Sequence, residues 1–143
     1  MNDPKAAILK RLKEAGLKRT PQRRAIIEAW MENASLHPGA SLIYQRAKKK
    51  LKGISLSTVY YTLNELSRHG IIKMLEFDKM ENRYEGNFSH HLNLVCLGCG
   101  NILDYPKALP ISSKKVENQT GFKPYEMRFE YHGYCKECLA RKK

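Results

Sequence analysis

The sequence predicts an α+β fold in which an N-terminal winged helix-turn-helix is followed by a small α/β domain with a site of four cysteines. Apolar residues recur at helical spacing through the first 70 residues, and short strand-like runs replace them afterwards. The four cysteines form two tight pairs, and both pairs lie in the second part of the chain. These observations predict two domains, over residues 1–84 and 85–143.

Three short helices are predicted before residue 54. The segment KAAILKRLKEAG places its apolar residues on one face and closes with Gly16, a common C-terminal stop. In RTPQRRAIIEAWMENA, Thr20 is a good N-cap, and Pro21 suits the first helical position because its missing N–H costs nothing there. The segment GASLIYQRAKKKL repeats apolar residues at helical spacing and is followed by Gly53.

The fourth helix, LSTVYYTLNELSRHG, has two different faces at about 100° per residue. One face is apolar and packs; the opposite face carries Ser57, Tyr61, Asn64 and Arg68. Side chains of these types can lie in a major groove, donate to phosphates and contact base edges. We interpret this helix as a recognition helix; the alternative is a small helical domain with an exposed polar helix.

Strands are predicted from residue 71 onwards. The runs IIKMLEF and NRYEG flank the turn-prone DKME, which indicates a two-stranded hairpin, the wing. Further on, LNLVC and NILDY flank the turn LGCG, ISSKKVENQTG suits a short helix, and PYEMRFEYHGYC alternates well enough for a long strand. A segment of this size is small for an independent domain, so it needs a metal ion or a partner subunit.

The formal charge of +12 is unevenly distributed. Residues 1–75 hold 15 Lys or Arg against 5 Asp or Glu, whereas residues 76–143 hold 11 against 9. A basic first half beside a nearly neutral second half indicates that the first half binds a polyanion, and double-stranded DNA fits the recognition helix. The alternative is that the positive charge serves solubility alone.

The paired cysteines predict a structural zinc ion. Cys96-x-x-Cys99 and Cys135-x-x-Cys138 can each present two thiolates to one tetrahedral ion, and four sulfur ligands suit Zn²⁺. A redox pair would explain one such motif but not two in a chain with no other cysteine. We expect a cytoplasmic protein with no membrane partner, because there is no apolar run of eighteen residues and the N-terminus is charged.

Zinc with four sulfur ligands leaves the neighbouring histidines for a second site. The residues of suitable chemistry are His37, Glu85, His90, His91 and Asp104, with Asn93 as a weak oxygen ligand. Imidazole and carboxylate ligands suit Fe²⁺, Mn²⁺ or Zn²⁺. On a strand, His91 and Asn93 point to the same side and His90 points to the other. Taken singly, each histidine is more typical of a surface or capping residue than of a metal ligand.

Five blocks of the chain resemble the ferric uptake regulator (Fur) family, in order and over nearly the whole length. They are GLKRTPQRRAI, LHPGASLIYQ, SLSTVYYTLNELSRHGII, HHLNLVCLGCGNILDY and GYCKEC. Within the family, NRYEGN, NLVCLGCGNILDY and TGFKPYEMRFEYHGYCKEC are most similar to the peroxide-responsive (PerR) branch. The resemblance implies a homodimeric, metal-dependent repressor of metal homeostasis or peroxide stress genes. Such a repressor binds a pseudo-palindromic operator through its N-terminal winged helix and dimerises through its C-terminal domain.

The resemblance also implies roles for individual residues. It places Cys96, Cys99, Cys135 and Cys138 on structural Zn²⁺ and His37, Glu85, His91, position 93 and Asp104 around a regulatory Fe²⁺ or Mn²⁺. It places Lys18, Tyr60 and Tyr61 at the DNA. Together with the polar face of the recognition helix, the DNA-binding candidates are Lys18, Ser57, Thr58, Tyr60, Tyr61 and Asn64.

Two positions depart from the family pattern. Position 93 is usually histidine and here is Asn93; position 85 is usually aspartate in the peroxide-responsive branch and here is Glu85. His90 could replace the missing imidazole only if a bulge reverses its strand parity. The regulatory site is therefore expected to be richer in oxygen than the family pattern.

Other functions fit parts of the sequence. A metal hydrolase using His91, Asp104 and a bound water would be an enzyme, but the chain has no nucleophile motif and no Gly-rich phosphate loop, so we expect no enzyme. A zinc-ribbon module that binds another protein would not need the basic first half. The principal alternative, because of Asn93, is a DNA-binding protein with structural zinc and no metal sensing.

Overall fold

The computed structural model describes residues 4–86, 91–105, 111–125 and 127–141. The chain divides into two compact units, Met1–Phe88 and Ser89–Lys143. The first is mainly helical and the second is built on a sheet, so the predicted α+β fold class is confirmed. Within the described ranges, no helix is long and apolar enough to cross a membrane.

The described part of the first unit consists of helices followed by a hairpin. Its elements are α1 (Pro4–Glu14), α2 (Pro21–Glu32), a short 3₁₀ helix (Ala34–Leu36), α3 (Ala40–Lys50), α4 (Leu56–Arg68), β1 (Lys73–Leu75) and β2 (Arg83–Glu85). The predicted start of α2 is confirmed, because the Thr20 side chain accepts a hydrogen bond from the Arg23 N–H at 3.1 Å and Pro21 follows.

One apolar core joins the helices of the first unit. Its fully buried members include Leu12, Ile26, Ile43, Leu63 and Ile72. Each such side chain contributes about 1.5–3 kcal/mol relative to an exposed one. The amphipathic reading of α4 is confirmed: Val59, Thr62, Leu63 and Leu66 are buried, whereas Ser57, Tyr61, Asn64 and Arg68 are exposed. The core therefore fixes which face of α4 remains accessible.

The hairpin also holds the segment that precedes α3. Strands β1 and β2 pair antiparallel, with Met74 opposite Tyr84. On its other side β2 receives Pro38 and Gly39, because the Tyr84 N–H donates to the Pro38 carbonyl at 3.0 Å and Gly39 bridges to Arg83. The two residues that precede α3 are thus fixed to the wing.

The second unit is a three-stranded sheet with two short helices in its described part. Its elements are β3 (Leu92–Cys96), β4 (Ile102–Tyr105), α5 (Ser113–Thr120), β5 (Glu130–Gly133) and α6 (Lys136–Arg141). The strand order is β4-β3-β5, with β3 antiparallel to β4 and parallel to β5. A parallel pair needs a long crossover, and the connection that contains α5 provides it.

Two features of the second unit differ from the sequence prediction. The long strand predicted for PYEMRFEYHGYC is wrong: β5 covers only Glu130–Gly133. Among the described residues it pairs only with β3, and β3 itself is five residues long, so the ladder begins at the pair Asn93–Glu130. The helix α6 was not predicted, because six residues are too few to show helical periodicity.

Candidate metal centres and DNA-binding face

The sheet of the second unit brings the two cysteine pairs together. Strands β3 and β5 run parallel and end side by side, with Cys96 opposite Gly133. The Leu97 N–H donates to the Gly133 carbonyl at 2.7 Å, so the two chain segments leave the sheet at one edge. The first Cys-x-x-Cys turns there towards β4, and the second leads into α6.

The four sulfur atoms form a tetrad of the size that zinc requires. The Sγ atoms of Cys96 and Cys138 are 3.7 Å apart, those of Cys99 and Cys135 are 3.8 Å apart, and all four lie within 4.8 Å of one another. A tetrahedral zinc ion with Zn–S bonds of about 2.3 Å has sulfurs about 3.8 Å apart. The residues therefore fit a Cys₄ zinc ion.

Backbone N–H groups stabilise the thiolate form of one cysteine of the tetrad. The N–H groups of Cys99 and Cys135 point to Cys96 Sγ at 3.5 and 3.3 Å, and they lower the pKa of Cys96 to about 6. The neighbouring thiols of Cys135 and Cys96 raise the pKa of Cys138 to about 12. The fold alone thus stabilises the thiolate of Cys96, whereas a dipositive ion would have to stabilise that of Cys138.

Gly98 permits the close approach of the two cysteine pairs. A Cβ atom at this position would lie 2.8 Å from Cys138 Sγ and 3.2 Å from its Cβ. Any side chain at position 98 would therefore push α6 away from the first pair.

In the first unit, a histidine and a glutamate form a buried pair. His37 Nε2 lies 3.4 Å from Glu85 Oε2, and the side chains are only 4% and 3% exposed. A carboxylate at this depth is costly unless a cation compensates it. A protonated imidazole or a metal ion between the two groups would supply that charge.

The local fold fixes His37 in an unusual conformation. Its φ of +47° is the only positive φ of a non-glycine residue in the described part of the chain. The Arg83 guanidinium donates to the His37 carbonyl at 3.1 Å, and Tyr84 holds the following Pro38. Sequence reasoning missed Arg83, because the contact joins residues 46 positions apart.

The second unit carries a second histidine–carboxylate pair. His91 Nε2 lies 3.5 Å from Asp104 Oδ1, with side chains 5% and 40% exposed. Asn93 is directly opposite Asp104 in the β3–β4 register, so both side chains lie on one face of the sheet. Asn93 is buried, and its Oδ1 atom has no hydrogen-bond partner among the described residues.

The amide oxygen of Asn93 is therefore suited to accept a hydrogen bond or to bind a cation. A buried carbonyl oxygen without a donor costs about 1–3 kcal/mol, which a cation or a water molecule would recover. The candidate ligand His90 lies outside the described residues.

The remaining candidates concern DNA. The Tyr61 side chain is 62% exposed and that of Tyr60 41%, and Ser57 and Asn64 are also exposed along α4. The Thr58 hydroxyl lies 2.8 Å from Ser55 Oγ, which caps α4 by accepting the Thr58 N–H. Thr58 therefore contributes to the start of the helix.

The backbone of Lys18 is connected to α4 through two residues that were not predicted from the sequence. The Arg23 guanidinium donates to the Lys18 carbonyl at 2.9 Å and binds Glu65 of α4 at 2.6 and 3.1 Å. Glu65 is buried, so this ion pair links α2, α4 and the segment before α2. No short-range pattern could reveal it, because Arg23 and Glu65 are 42 positions apart.

Residues 14–132 match the ferric uptake regulator family. The chain is 36% identical over 135 residues to the peroxide operon regulator of Bacillus subtilis, which covers 93% of this chain and 92% of that relative. It is 34% identical over 129 residues to the peroxide-responsive repressor PerR of Staphylococcus aureus, covering 89% and 86% of the two chains. Among solved structures, the Helicobacter pylori ferric uptake regulator, described with three functional metal binding sites, matches with a TM-score of 0.73 at 29% identity. That match covers 96% of this chain and 95% of the other.

Proposed function

The chain belongs to the ferric uptake regulator family, and from this membership we propose how its metal centres and its DNA-binding face act together. It is a metal-dependent DNA-binding transcriptional regulator of metal homeostasis or peroxide stress genes. Its cofactors are structural Zn²⁺ and a regulatory Fe²⁺ or Mn²⁺. A repressor acts where the DNA is, so we place it in the cytoplasm, and we propose no catalytic role for either centre.

Zinc occupies the cysteine tetrad and stabilises the second unit. The tetrad joins the end of β3 to α6, so the bound ion cross-links these two segments of the second unit. Binding free energy at such a site is folding free energy. The zinc centre therefore maintains the fold and does not sense.

The regulatory ion draws ligands from both units in our proposal. The first unit supplies His37 and Glu85; the second supplies His91 and Asp104, with Asn93 Oδ1 as an additional oxygen ligand. The observation that carries this proposal is the buried His37–Glu85 pair, a carboxylate that needs a cation inside the DNA-binding unit. When bound, the ion would be coordinated by side chains of both units.

The residues around His37 connect the proposed metal ligand to the DNA-binding surface. Arg83 joins the His37 carbonyl to the wing, and α3 begins three residues after His37. A ligand fixed at His37 therefore fixes the wing strand β2 and the start of α3 together. A hundredfold change in DNA affinity requires a coupling of only about 2.7 kcal/mol.

We propose that the DNA target is a pseudo-palindromic operator, bound by two copies of the chain. Tyr61, Asn64 and Ser57 are exposed on one face of α4 and are suited to base contacts. Lys18 is exposed and supplies a phosphate contact, and its backbone is fixed to α4 through Arg23. Tyr60 lies beside Tyr61 and is partly exposed.

The sheet of the second unit supports the homodimer. Leu94, Leu103 and Tyr131 form one row across β3, β4 and β5 on the face opposite to Asn93. Leu103 is 56% and Tyr131 66% exposed, and this row borders a groove of about 590 Å³. Within the part of the chain that the structure describes, β5 is an edge strand, and an apolar row beside such an edge is a surface that a second copy would cover.

A second candidate function is a DNA-binding protein that holds only zinc. Asn93 favours it, because an amide is a weaker ligand than the imidazole usual at this position. In that case the His37–Glu85 pair is compensated by a proton, and DNA affinity does not depend on a second metal.

Operator binding in zinc-loaded protein separates the two. The probe is a duplex selected from a randomised pool by the Mn²⁺-loaded protein, and zinc content is checked throughout. We expect a mild chelator to weaken binding to this duplex by about a hundredfold, and Mn²⁺ or Fe²⁺ to restore it, while one zinc per chain remains. Undiminished binding after removal of all metal except zinc would establish the second candidate.

A further inference from the structure

The turn between α3 and α4 carries a dense positive charge that the proposed metal and base contacts do not use. Residues 46–52 read RAKKKLK, five cations in seven positions without an acidic residue. Basic residues at a helix C-terminus also stabilise the helix dipole. The contacts of each cation show whether it is paired within the unit or is available to bind a ligand.

Two of the five cations are engaged within the unit. Lys50 Nζ binds Glu32 of α2 at 2.7 Å and lies 3.8 Å from Glu28, so it holds the end of α3 against α2. Lys48 Nζ lies 5.0 Å from the ring centroid of Tyr44, one turn earlier on the same helix. Lys48 and Lys50 therefore have contacts within the first unit that account for their positions.

The other three cations are available to bind a ligand. Arg46, Lys49 and Lys52 are exposed, and the structure shows no ion pair for them among the described residues. Arg46 and Lys49 are three positions apart, so they lie on one side of α3. Lys52 lies three residues before Ser55, which caps α4.

This position matters in a helix-turn-helix. Five residues connect the end of α3 at Lys50 to the start of α4 at Leu56. When a recognition helix enters the major groove with its N-terminal residues towards the bases, the preceding helix crosses the sugar-phosphate backbone. Three unpaired cations at the junction of these helices are therefore at the place where phosphates pass.

We propose that Arg46, Lys49 and Lys52 form a phosphate-binding patch for the DNA backbone flanking the recognition helix, in addition to Lys18. This inference rests on the proposed DNA-binding role of the first unit. Phosphate contacts carry no sequence information, so the patch strengthens binding to operator and random DNA alike.

The test is the salt dependence of binding to two duplexes, the selected operator and a random-sequence duplex of the same length. Three lost phosphate contacts lower the slope of log K against log salt by about 2.7. We expect this fall for the triple variant Arg46→Gln/Lys49→Gln/Lys52→Gln on both duplexes, with unchanged operator preference. The single variant Lys49→Gln should lower the slope by about 0.9.

A matched triple, Lys114→Gln/Lys115→Gln/Lys123→Gln, removes the same charge from exposed positions of the second unit. Thermal melts of both triples check folding, and the single variant serves if the triple is destabilised. Slopes that equal the wild-type value, or that fall equally in the control triple, overturn the patch while leaving the proposed function intact. Wild-type protein that binds neither duplex overturns both.

Discussion

Asn93 is the residue that distinguishes the proposed regulatory centre. Its amide oxygen is buried opposite Asp104 and has no donor among the described residues, so it is available to a cation or a water. An imidazole at this position would add a nitrogen ligand, which late first-row ions such as Zn²⁺ favour, whereas oxygen ligands suit Mn²⁺. The centre should therefore bind divalent ions reversibly and discriminate less strongly in favour of zinc.

Replacing Asn93 by histidine tests this directly. We expect Asn93→His to raise the affinity of the regulatory centre for Zn²⁺ relative to Mn²⁺ by about tenfold, the equivalent of about 1.4 kcal/mol. Competition titrations of protein with one zinc already bound measure the ratio. His132→Ala, an exposed imidazole on the same sheet face, is the control, and its ratio should not change. Equal Zn²⁺ to Mn²⁺ ratios for Asn93→His and wild type would remove position 93 from the ligand set.

Lys18 and Tyr61 are expected to act differently on DNA. Lys18→Ala removes a phosphate contact, so it should weaken binding to operator and random duplex alike and lower the salt slope by about 0.9. Tyr61→Ala removes a contact to bases and should reduce operator affinity more than random-duplex affinity. Fluorescence anisotropy with both duplexes gives the two affinities. The division of labour fails if each variant loses the same factor on both duplexes.

At the scale of elements, β3 connects the cysteine tetrad with Asn93, a proposed ligand of the regulatory ion. It carries Asn93 on the regulatory face and ends three residues later at Cys96 of the zinc tetrad. Its parallel partner β5 leads directly to the second cysteine pair. Loss of zinc should therefore disturb the regulatory residues through one short strand.

Removing a zinc ligand tests this element. Cys96→Ser or Cys138→Ser should release the zinc and unfold the second unit, because both sulfurs are buried in the tetrad. Metal analysis and far-ultraviolet circular dichroism measure the two effects. Leu139→Ser, an exposed neighbour in α6, should retain one zinc with four sulfur ligands. Nitrogen ligands in the X-ray absorption spectrum of wild-type zinc would contradict the Cys₄ assignment.

The only tryptophan of the chain reports on β2. Trp30 Nε1 donates to the Tyr84 carbonyl at 3.1 Å, next to Glu85. Mn²⁺ titration of zinc-loaded protein should change Trp30 fluorescence, with the same midpoint as operator binding, because a ligand at Glu85 acts on this backbone. In Glu85→Gln the change should shift to higher Mn²⁺ concentration; an unshifted midpoint would place the metal elsewhere.

These elements also show what the sequence could and could not predict. The start of α2 and the buried face of α4 follow from local signals, a Thr-Pro cap and helical periodicity, and both are confirmed. The length of β5 could not be predicted, because alternation does not reveal how long its partner strand is. The contacts Arg23–Glu65 and Arg83–His37 were missed, because tertiary packing joins residues more than 40 positions apart.

At the scale of the whole molecule, the proposed function requires that binding of the regulatory ion changes the affinity of the first unit for DNA. The first unit carries a charge of +10 through residue 75, so it has affinity for DNA without any metal. The regulatory ion then needs to supply only the difference between this basal affinity and operator binding. A centre of modest metal affinity suffices, which suits the oxygen-rich ligand set.

The most direct measurement is operator affinity of zinc-loaded protein as a function of Mn²⁺ concentration, for wild type, His37→Ala and the control His69→Ala, an exposed histidine at the end of α4. The account predicts that Mn²⁺ raises the operator affinity of wild type and His69→Ala by about a hundredfold, or about 2.7 kcal/mol. It predicts that His37→Ala keeps its zinc and its basal DNA affinity but gains little from Mn²⁺. An identical Mn²⁺ response in His37→Ala and wild type, or no response in wild type, would contradict it.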